Sequence, residues 1–262
     1  MKKEEKVIND LVYFKNIKIV QNKNYFNFSL DSVLLPNFVN INKSTKRIID
    51  LCTGNIPIPL ILSTKTNAEI YAVEIQKEIY DLAKETVDIN NLNGRINLIN
   101  DDVKNICNRF ETDTFDIITC NPPYFKKNES SLINENRIKS IARHEIEINL
   151  EEIIKISKKL LKNGGSLNLI HRTDRLIEII DLMKKNNIEP KRLRFVYPKI
   201  DKESNLVLVE GCKNGNVGLK ILPPLYVHNN DGSYTNEVLK MFGDDVEWYK
   251  KVIKKVKMEN YI

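Results

Sequence analysis

Four consecutive residues, Asn121-Pro122-Pro123-Tyr124, carry the most specific chemistry in the sequence, and they follow directly on the apolar run Phe115 to Cys120. The two prolines fix φ and remove two N–H donors, which leaves their carbonyl groups and the Asn121 side chain as rigid hydrogen-bond acceptors. Tyr124 places an aromatic ring beside these acceptors. Such a set suits the amino group of a planar heterocycle, and adenine has one. The structural alternative is a strand that ends in a proline turn with a core tyrosine.

Acidic residues follow three other apolar runs of the chain. Asp50 ends the first run, Glu74 follows the second, and Asn100-Asp101-Asp102-Val103 follows the third. Ligands of open α/β sheets bind beyond the carboxyl ends of the strands, so these residues are predicted to share one edge with the tetrapeptide. Glu74 is suitably spaced from Asp50 to accept hydrogen bonds from a ribose diol, and Asp102 is placed to accept one from an adenine amino group. Taken singly, each acid is better explained as a solvated loop residue or a helix cap.

The turn after the first run, Asp50-Leu51-Cys52-Thr53-Gly54-Asn55, contains a single glycine. A nicotinamide cofactor is disfavoured because the glycine pattern G-x-G-x-x-G, which cradles a diphosphate, is missing. S-adenosylmethionine has a diol, an adenine and an ammonium group but no phosphate. Strand-end acids therefore match this cofactor better than they match a dinucleotide.

The order of the predicted elements places these residues. From residue 47, short apolar runs alternate with amphipathic helical patterns, which predicts an α/β fold with a mostly parallel seven-stranded sheet and helices on both faces. The predicted strands are 47–51, 68–73, 96–99, 115–120, 166–170, 193–197 and 205–210. The last two are predicted to form an antiparallel hairpin at one edge of the sheet. The predicted helices are 76–90, 150–161 and 174–185.

Composition narrows the functional classes. The chain has 262 residues, of which 42% are apolar, enough for a full core. The net charge of +6 favours an anionic partner such as nucleic acid, although biased genomic base composition explains it equally well. The four cysteines form no C-x-x-C pair and there are only three histidines, so no metal site is predicted and reduced thiols of a cytoplasmic protein are expected. Neither a secretion signal nor a membrane span is expected.

Two segments fall outside the alternation of strands and helices. The sequence therefore predicts three parts: an N-terminal extension packed on the sheet (1–46), a cofactor-binding domain (47–217) and a C-terminal extension (218–262). The C-terminal extension contains an amphipathic helix pattern from Trp248 to Lys257 with a basic face. Residues 125–148 are polar and basic, which is typical of a lid or a substrate-binding loop. The oligomeric state is open, with a monomer favoured.

These motifs resemble those of the class I, Rossmann-like S-adenosylmethionine methyltransferases: DLCTGN, Glu74, Asp102 and NPPY stand at the first four motif positions. Within that class the chain is similar to the bacterial tRNA(Val) adenine-N6 methyltransferases. The further matches are FSLDSVLL near the start, IARHE at 141–145, LNLIHRTDRL at 167–176 and LKILPPLYV near the end. The sequence departs from the class at Cys52 and Ile56, where glycines are usual.

The resemblance implies transfer of a methyl group from S-adenosylmethionine to N6 of an adenosine in tRNA, at position 37 next to the anticodon of tRNA(Val), with the anticodon loop as partner. Asn121 Oδ1 and the Pro122 carbonyl would accept the two N–H bonds of the amino group, and Tyr124 would stack on the base. The implied cofactor-binding residues are Asp50, Leu51, Cys52, Gly54, Glu74, Ile75, Asp102, Val103 and Asn121, with Ser29 and Asp31 covering the methionine side. Candidates for RNA phosphate contacts are Lys126, Lys127, Arg143, His144, Arg172 and Arg194, for each of which a solvated surface role is equally supported.

Three other functions fit parts of the pattern. Methylation of a glutamine amide in a protein also uses an NPPY turn, but that family carries a helical domain before the first motif, whereas residues 1–46 look extended. Guanine-N2 methylation of ribosomal RNA uses a related fold. A non-catalytic RNA-binding relative is compatible with the altered glycine turn. Binding of labelled cofactor would distinguish the enzymes from a non-catalytic RNA-binding protein.

Overall fold

The computed structural model describes residues 6–11, 14, 17–22, 25, 29–124 and 148–243. Strands β1 (Lys6–Asp10) and β2 (Lys18–Asn22) form a separate antiparallel pair. Within these described ranges, the main sheet has nine strands. They are β3 (Arg47–Leu51), β4 (Glu69–Glu74), β5 (Ile96–Asn100), β6 (Phe115–Cys120), β7 (Leu161–Arg172), β8 (Ile188–Tyr197), β9 (Leu206–Lys213), β10 (Lys220–Ile221) and β11 (Leu225–Tyr226).

The sheet is mostly parallel, as the sequence predicts. Its strand order is β10-β8-β9-β7-β6-β3-β4-β5, and β11 also pairs with β8. Strands β3 to β7 pair in parallel, and β9 lies antiparallel between β7 and β8. The predicted α/β class and the β8–β9 hairpin are therefore confirmed, and the two-residue strands β10 and β11 extend the seven predicted strands beyond β8.

Helices cover both faces of the sheet. They are α1 (Asp31–Phe38), α2 (Pro57–Ser63), α3 (Lys77–Ile89), α4 (Leu150–Leu160), α5 (Leu176–Lys185) and α6 (Asn236–Met241). Helices α1, α2, α3 and α6 share one buried apolar cluster with the sheet, while α4, α5 and the 3-10 turn Val103–Asn108 share the other. Alternate residues of a strand point to opposite faces: Ile48 lies in the first cluster and Ile49 in the second. The buried strands therefore read as continuous apolar runs.

The β1–β2 hairpin packs on helix α3. The backbone N–H of Lys18 donates to Asn90 Oδ1 at 2.8 Å, and that of Val20 donates to Thr86 Oγ1 at 3.0 Å. Ile19 is fully buried in the first core cluster. The Asn55 side chain also donates to the Val20 carbonyl, which joins the hairpin to the turn after β3.

Some expectations lie where the structure gives no description. The basic segment 125–147 and the helix pattern from Trp248 to Lys257 lie outside the described residues. The division into three parts at residues 46 and 217 stays a prediction. Among the described helices, none has the length and apolar character needed to cross a membrane.

Candidate active site

Parallel pairing brings the ends of four strands to one edge. Leu51 at the end of β3 pairs with Val73 of β4 and with Cys120 of β6, and Cys120 in turn pairs with Leu169 of β7. The residues that follow these pairs therefore lie at one edge of the sheet, as the sequence predicts.

Asp50 is fully buried beneath this edge. Its Oδ1 accepts a hydrogen bond of 2.5 Å from Thr119 Oγ1 on the neighbouring strand β6, whereas Oδ2 is buried and has no hydrogen-bond partner among the described residues. Burial raises the pKa of the Asp50 carboxyl to about 7, against the opposing effect of the bond from Thr119. A buried acid with an unused oxygen is suited to a ligand that brings a donor or a positive charge.

Glu74 ties two loops together at the same edge. Its Oε2 accepts a 2.9 Å hydrogen bond from the Gly54 N–H, and its Oε1 accepts one of 2.9 Å from the Gln76 N–H. Burial raises the pKa of Glu74 to about 7, and the backbone bonds lower it by less. Glu74 thus fixes the turn after β3 and keeps further acceptor capacity on each oxygen for a ligand.

The turn after β3 keeps a glycine-like backbone although it is poor in glycine. Cys52, Gly54 and Ile56 have φ values of 57°, 57° and 55°, in the left-handed region. This conformation costs roughly 1 to 2 kcal/mol for a residue with a side chain, and more for a β-branched residue such as Ile56. Among the described residues, no atom outside the turn lies within 4 Å of a Cβ built on Gly54, so they leave the space above the turn open. Cys52 is half-buried against the second core cluster, which agrees with a packing role.

The third predicted acid is engaged locally. Asp102 Oδ1 accepts a 2.9 Å bond from the Lys104 N–H and so caps the 3-10 turn. Val103 is buried within that turn. By contrast, Ile75 is a large apolar residue that is 37% exposed at the end of β4, where it can pack on a flat ligand.

The tetrapeptide after β6 is joined to the amino-terminal part of the chain. The Tyr124 hydroxyl oxygen lies 2.7 Å from Asp31 Oδ2, at the start of α1, and 2.6 Å from Asn121 Oδ1. Burial, followed by the Asp31 carboxylate, raises the pKa of Tyr124 well above its usual value. Ser29 is half-buried and lies two residues before Asp31, where its carbonyl accepts from the Ser32 N–H at 3.1 Å.

His171 at the end of β7 completes this corner. Its ring centroid lies 5.1 Å from that of Tyr124, and its Nδ1 accepts a 2.8 Å bond from the Arg172 N–H. The side chain is fully buried, and Nε2 has no hydrogen-bond partner among the described residues. Burial, followed by Arg175, lowers the pKa of His171 to about 4, so the imidazole is neutral at pH 7 with its proton on Nε2.

Neither His171 nor Thr119 was predicted from the sequence to belong to the site. A signal for both was present, because His171 follows the apolar run 166–170 and Thr119 interrupts the apolar run 115–120. A polar residue at the end of a buried strand belongs to the same edge as its neighbours' ends. The contact of Asp31 with Tyr124 joins residues 93 positions apart and had no local signal.

The predicted RNA contacts are only partly described. Arg172 is 42% exposed in its side chain and pairs with Asp174 at 2.7 Å. Arg194 is 15% exposed in its side chain, pairs with Glu237 at 2.8 Å and donates to the Pro223 carbonyl at 2.9 Å, so it joins β8 to the segments on both sides of β11. Lys126, Lys127, Arg143 and His144 lie outside the described residues. Within the described part of the chain, no cluster of three or more His, Cys, Asp and Glu side chains is arranged to bind a metal ion.

Comparison with known proteins adds an independent finding. The family model for the methyltransferase small domain matches residues 29–186. The tRNA1(Val) (adenine(37)-N6)-methyltransferase of Cytophaga hutchinsonii is 27% identical over 199 residues, covering 76% of this chain and 81% of the relative. The enzyme of the same name from Aliivibrio salmonicida is 27% identical over 220 residues, covering 81% and 87%.

Solved structures agree on the fold. A predicted O-methyltransferase from Agrobacterium tumefaciens superposes with a TM-score of 0.65 at 21% identity, covering 81% of this chain and 95% of that one. The tRNA m1G37 methyltransferase of M. jannaschii gives a TM-score of 0.57 at 14% identity, covering 82% and 56%. The fold is therefore the Rossmann-like methyltransferase fold.

Proposed function

The chain belongs to the methyltransferase small domain family, and from this premise we propose that it transfers a methyl group from S-adenosylmethionine to N6 of adenosine 37 in tRNA(Val). One observation carries the proposal: Asn121 and Tyr124 stand at the same sheet edge as the buried carboxyls of Asp50 and Glu74. An amino-group acceptor beside a site for a positively charged donor is the arrangement that N-methylation needs. With tRNA as the substrate, we also expect the enzyme to act in the cytoplasm.

The cofactor-binding residues fit S-adenosylmethionine. Asp50 offers an unused buried oxygen, and a cation or a donor there removes the unfavourable isolation of its charge. Glu74 has acceptor capacity for a ribose diol, the space above Gly54 is open, and Ile75 exposes an apolar surface for the adenine ring. When bound, S-adenosylmethionine supplies an electrophilic methyl group.

The protein's own part in the reaction is to hold the target nitrogen. Asn121 Oδ1 and the Pro122 carbonyl accept the two N–H bonds of the adenine amino group and stabilise the positive charge that develops on nitrogen. Tyr124 stacks on the base once it has left the anticodon-loop stack. No strong base is required, because methylation makes the nitrogen acidic and its proton leaves to water or to a carbonyl. His171, whose ring packs against that of Tyr124, is a weak base, because its pKa is lowered to about 4.

Methylation of a defined transcript tests the proposal. The protein is incubated with labelled S-adenosylmethionine and unmodified tRNA(Val), and the RNA is then digested to nucleosides for mass spectrometry. We expect N6-methyladenosine in tRNA(Val) and none in the same transcript with guanosine at position 37. The Asn121→Ala variant is expected to lose a factor of roughly 10² to 10³ in single-turnover rate, because it lacks one preorganised acceptor.

The other outcomes point elsewhere. Methylated guanosine in ribosomal RNA, or methylglutamine in a protein substrate, would replace the proposed substrate. Cofactor binding without any methyl transfer would indicate that the substrate is a different molecule. Absence of cofactor binding would indicate a non-catalytic RNA-binding relative. An Asn121→Ala variant with the wild-type rate at saturating RNA would remove Asn121 from the mechanism.

A further inference from the structure

The Tyr124 hydroxyl stands between two oxygen acceptors. It lies 2.7 Å from Asp31 Oδ2 and 2.6 Å from Asn121 Oδ1. A phenolic hydroxyl has one proton and cannot donate to both. In one of the two short contacts, the Tyr124 oxygen must therefore be the acceptor, and the partner side chain must be the donor.

A half-turn of the Asn121 carboxamide satisfies both contacts. The carboxylate of Asp31 is the stronger acceptor, so the phenolic proton is donated to it. With the amide turned, Asn121 Nδ2 donates to the Tyr124 oxygen, which has lone pairs free to accept. Asn121 Oδ1 then lies on the far side of the amide from Tyr124.

We propose that Asp31 is a positioning residue that acts through the Tyr124 hydroxyl to hold the Asn121 carboxamide with Oδ1 turned toward the target amino group. This inference rests on the proposed function, because an amino-group substrate requires an acceptor at that place. A carboxamide that is free to rotate presents its NH2 group to the NH2 group of the base for part of the time, and two donors repel. Tyr124 then has two separate parts: the ring stacks on the base, and the hydroxyl orients Asn121.

Two further observations support the arrangement. The raised pKa of Tyr124 keeps its phenol protonated, as a donor to Asp31 must be. The buried ring of His171 packs against the Tyr124 ring at a centroid distance of 5.1 Å, which limits how far the hydroxyl can swing away from Asp31. Asp31 belongs to the amino-terminal motif FSLDSVLL. Because Asp31 contacts Tyr124, this motif contributes to the methyl-acceptor side of the site.

Single-turnover methylation of tRNA(Val) by Tyr124→Phe, Asp31→Ala and the double variant tests the inference. Each single variant is expected to lose roughly fivefold to tenfold in rate, the equivalent of one neutral hydrogen bond, with an unchanged Kd for tRNA. Tyr124→Phe is also expected to keep the wild-type Kd for S-adenosylmethionine. The double variant is expected to be no slower than either single variant, because both remove the same orientation. Tyr71→Phe is the matched control. It also removes a tyrosine hydroxyl, which donates to Glu69 at 2.7 Å and lies away from the site, so this variant should keep the wild-type rate.

The results separate the inference from the proposed function. An inactive wild-type protein would refute the function. An active wild-type protein with an unimpaired Tyr124→Phe variant would refute the inference alone, and this one-oxygen change decides the matter even if Asp31→Ala folds poorly by circular dichroism. Multiplicative losses in the double variant, or losses confined to Kd, would also overturn it, because independent contacts or a stacking defect would then explain the data.

Discussion

Replacing Asp50 by asparagine should stabilise the ligand-free protein in a pH-dependent manner. The folded-state pKa of Asp50 is about 7, above the ordinary value of 3.8, because the carboxyl is fully buried. Folded protein therefore binds the proton more tightly than unfolded protein, and stability falls as pH rises from 3.8 through about 7. The asparagine variant lacks this loss.

The pKa values set the size of the effect. Integrating the proton linkage between pH ~5 and pH ~8 gives about 3 kcal/mol from this one group. The free energy of unfolding of Asp50→Asn, relative to wild type, should increase by about that amount over this interval when it is measured by urea denaturation at each pH. Using the change with pH cancels costs that do not depend on pH, such as the burial of the new Nδ2 group. Loss of the Asp50 charge also eases the repulsion on Glu74, which acts in the same direction.

Asp116→Asn is the matched control. Asp116 accepts bonds from the Lys46 and Arg47 N–H groups and from Lys162 Nζ, and its pKa is lowered. Its carboxylate is charged in both folded and unfolded protein over this pH interval, so the relative stability of that variant should stay constant. A constant value for Asp50→Asn as well would show that Asp50 does not carry the burial cost derived from its position. The same Asp50→Asn change should weaken S-adenosylmethionine binding by roughly 10-fold or more, because it removes a charged acceptor.

Three further predictions concern Tyr124, the turn after β3 and the basic segment. Tyr124→Ala should weaken tRNA binding by about 1 to 3 kcal/mol while cofactor binding changes less, and calorimetry showing the reverse order would contradict the stacking role. Cys52→Gly should be more stable than Cys52→Ala by about 1 kcal/mol and should therefore melt at a higher temperature. Both variants lose the thiol, but only glycine relieves the left-handed φ of 57°. Equal melting temperatures would rule out that strain. Lys126→Gln and Lys127→Gln should each reduce the slope of log affinity against log salt for tRNA by somewhat less than one, and an unchanged slope would remove that lysine from the phosphate contacts.

The strand pattern was predictable from sequence because burial on both faces leaves a local record. The predicted strand 115–120 coincides with β6, and the predicted strand 47–51 coincides with β3. The prediction for β7 began five residues late, since its first half contains Lys162-Asn163-Gly164-Gly165, which resembles a turn. That half pairs with β6 across a register shift, a tertiary contact that no local pattern records.

The site was predictable where it lies at strand ends and not where it depends on distant contacts. The edge shared by Asp50, Glu74 and Asn121 follows from parallel pairing alone. A helix cap was one of the two interpretations of Asp102 from the sequence, and in the structure Asp102 Oδ1 accepts a hydrogen bond from the Lys104 N–H. The bond between Asp31 and Tyr124 depends on how α1 packs over the sheet, which periodicity does not encode. The monomeric state stays a prediction.

The docking of the amino-terminal hairpin has a consequence for biosynthesis. An isolated two-stranded hairpin is marginally stable in water. The partners that hold this one, Asn55, Thr86 and Asn90, leave the ribosome between 35 and 72 residues after the strand residues they bond. Residues translated early are therefore among the later ones to settle, and the turn after β3 is completed only when the nascent chain has folded back onto a segment made before it.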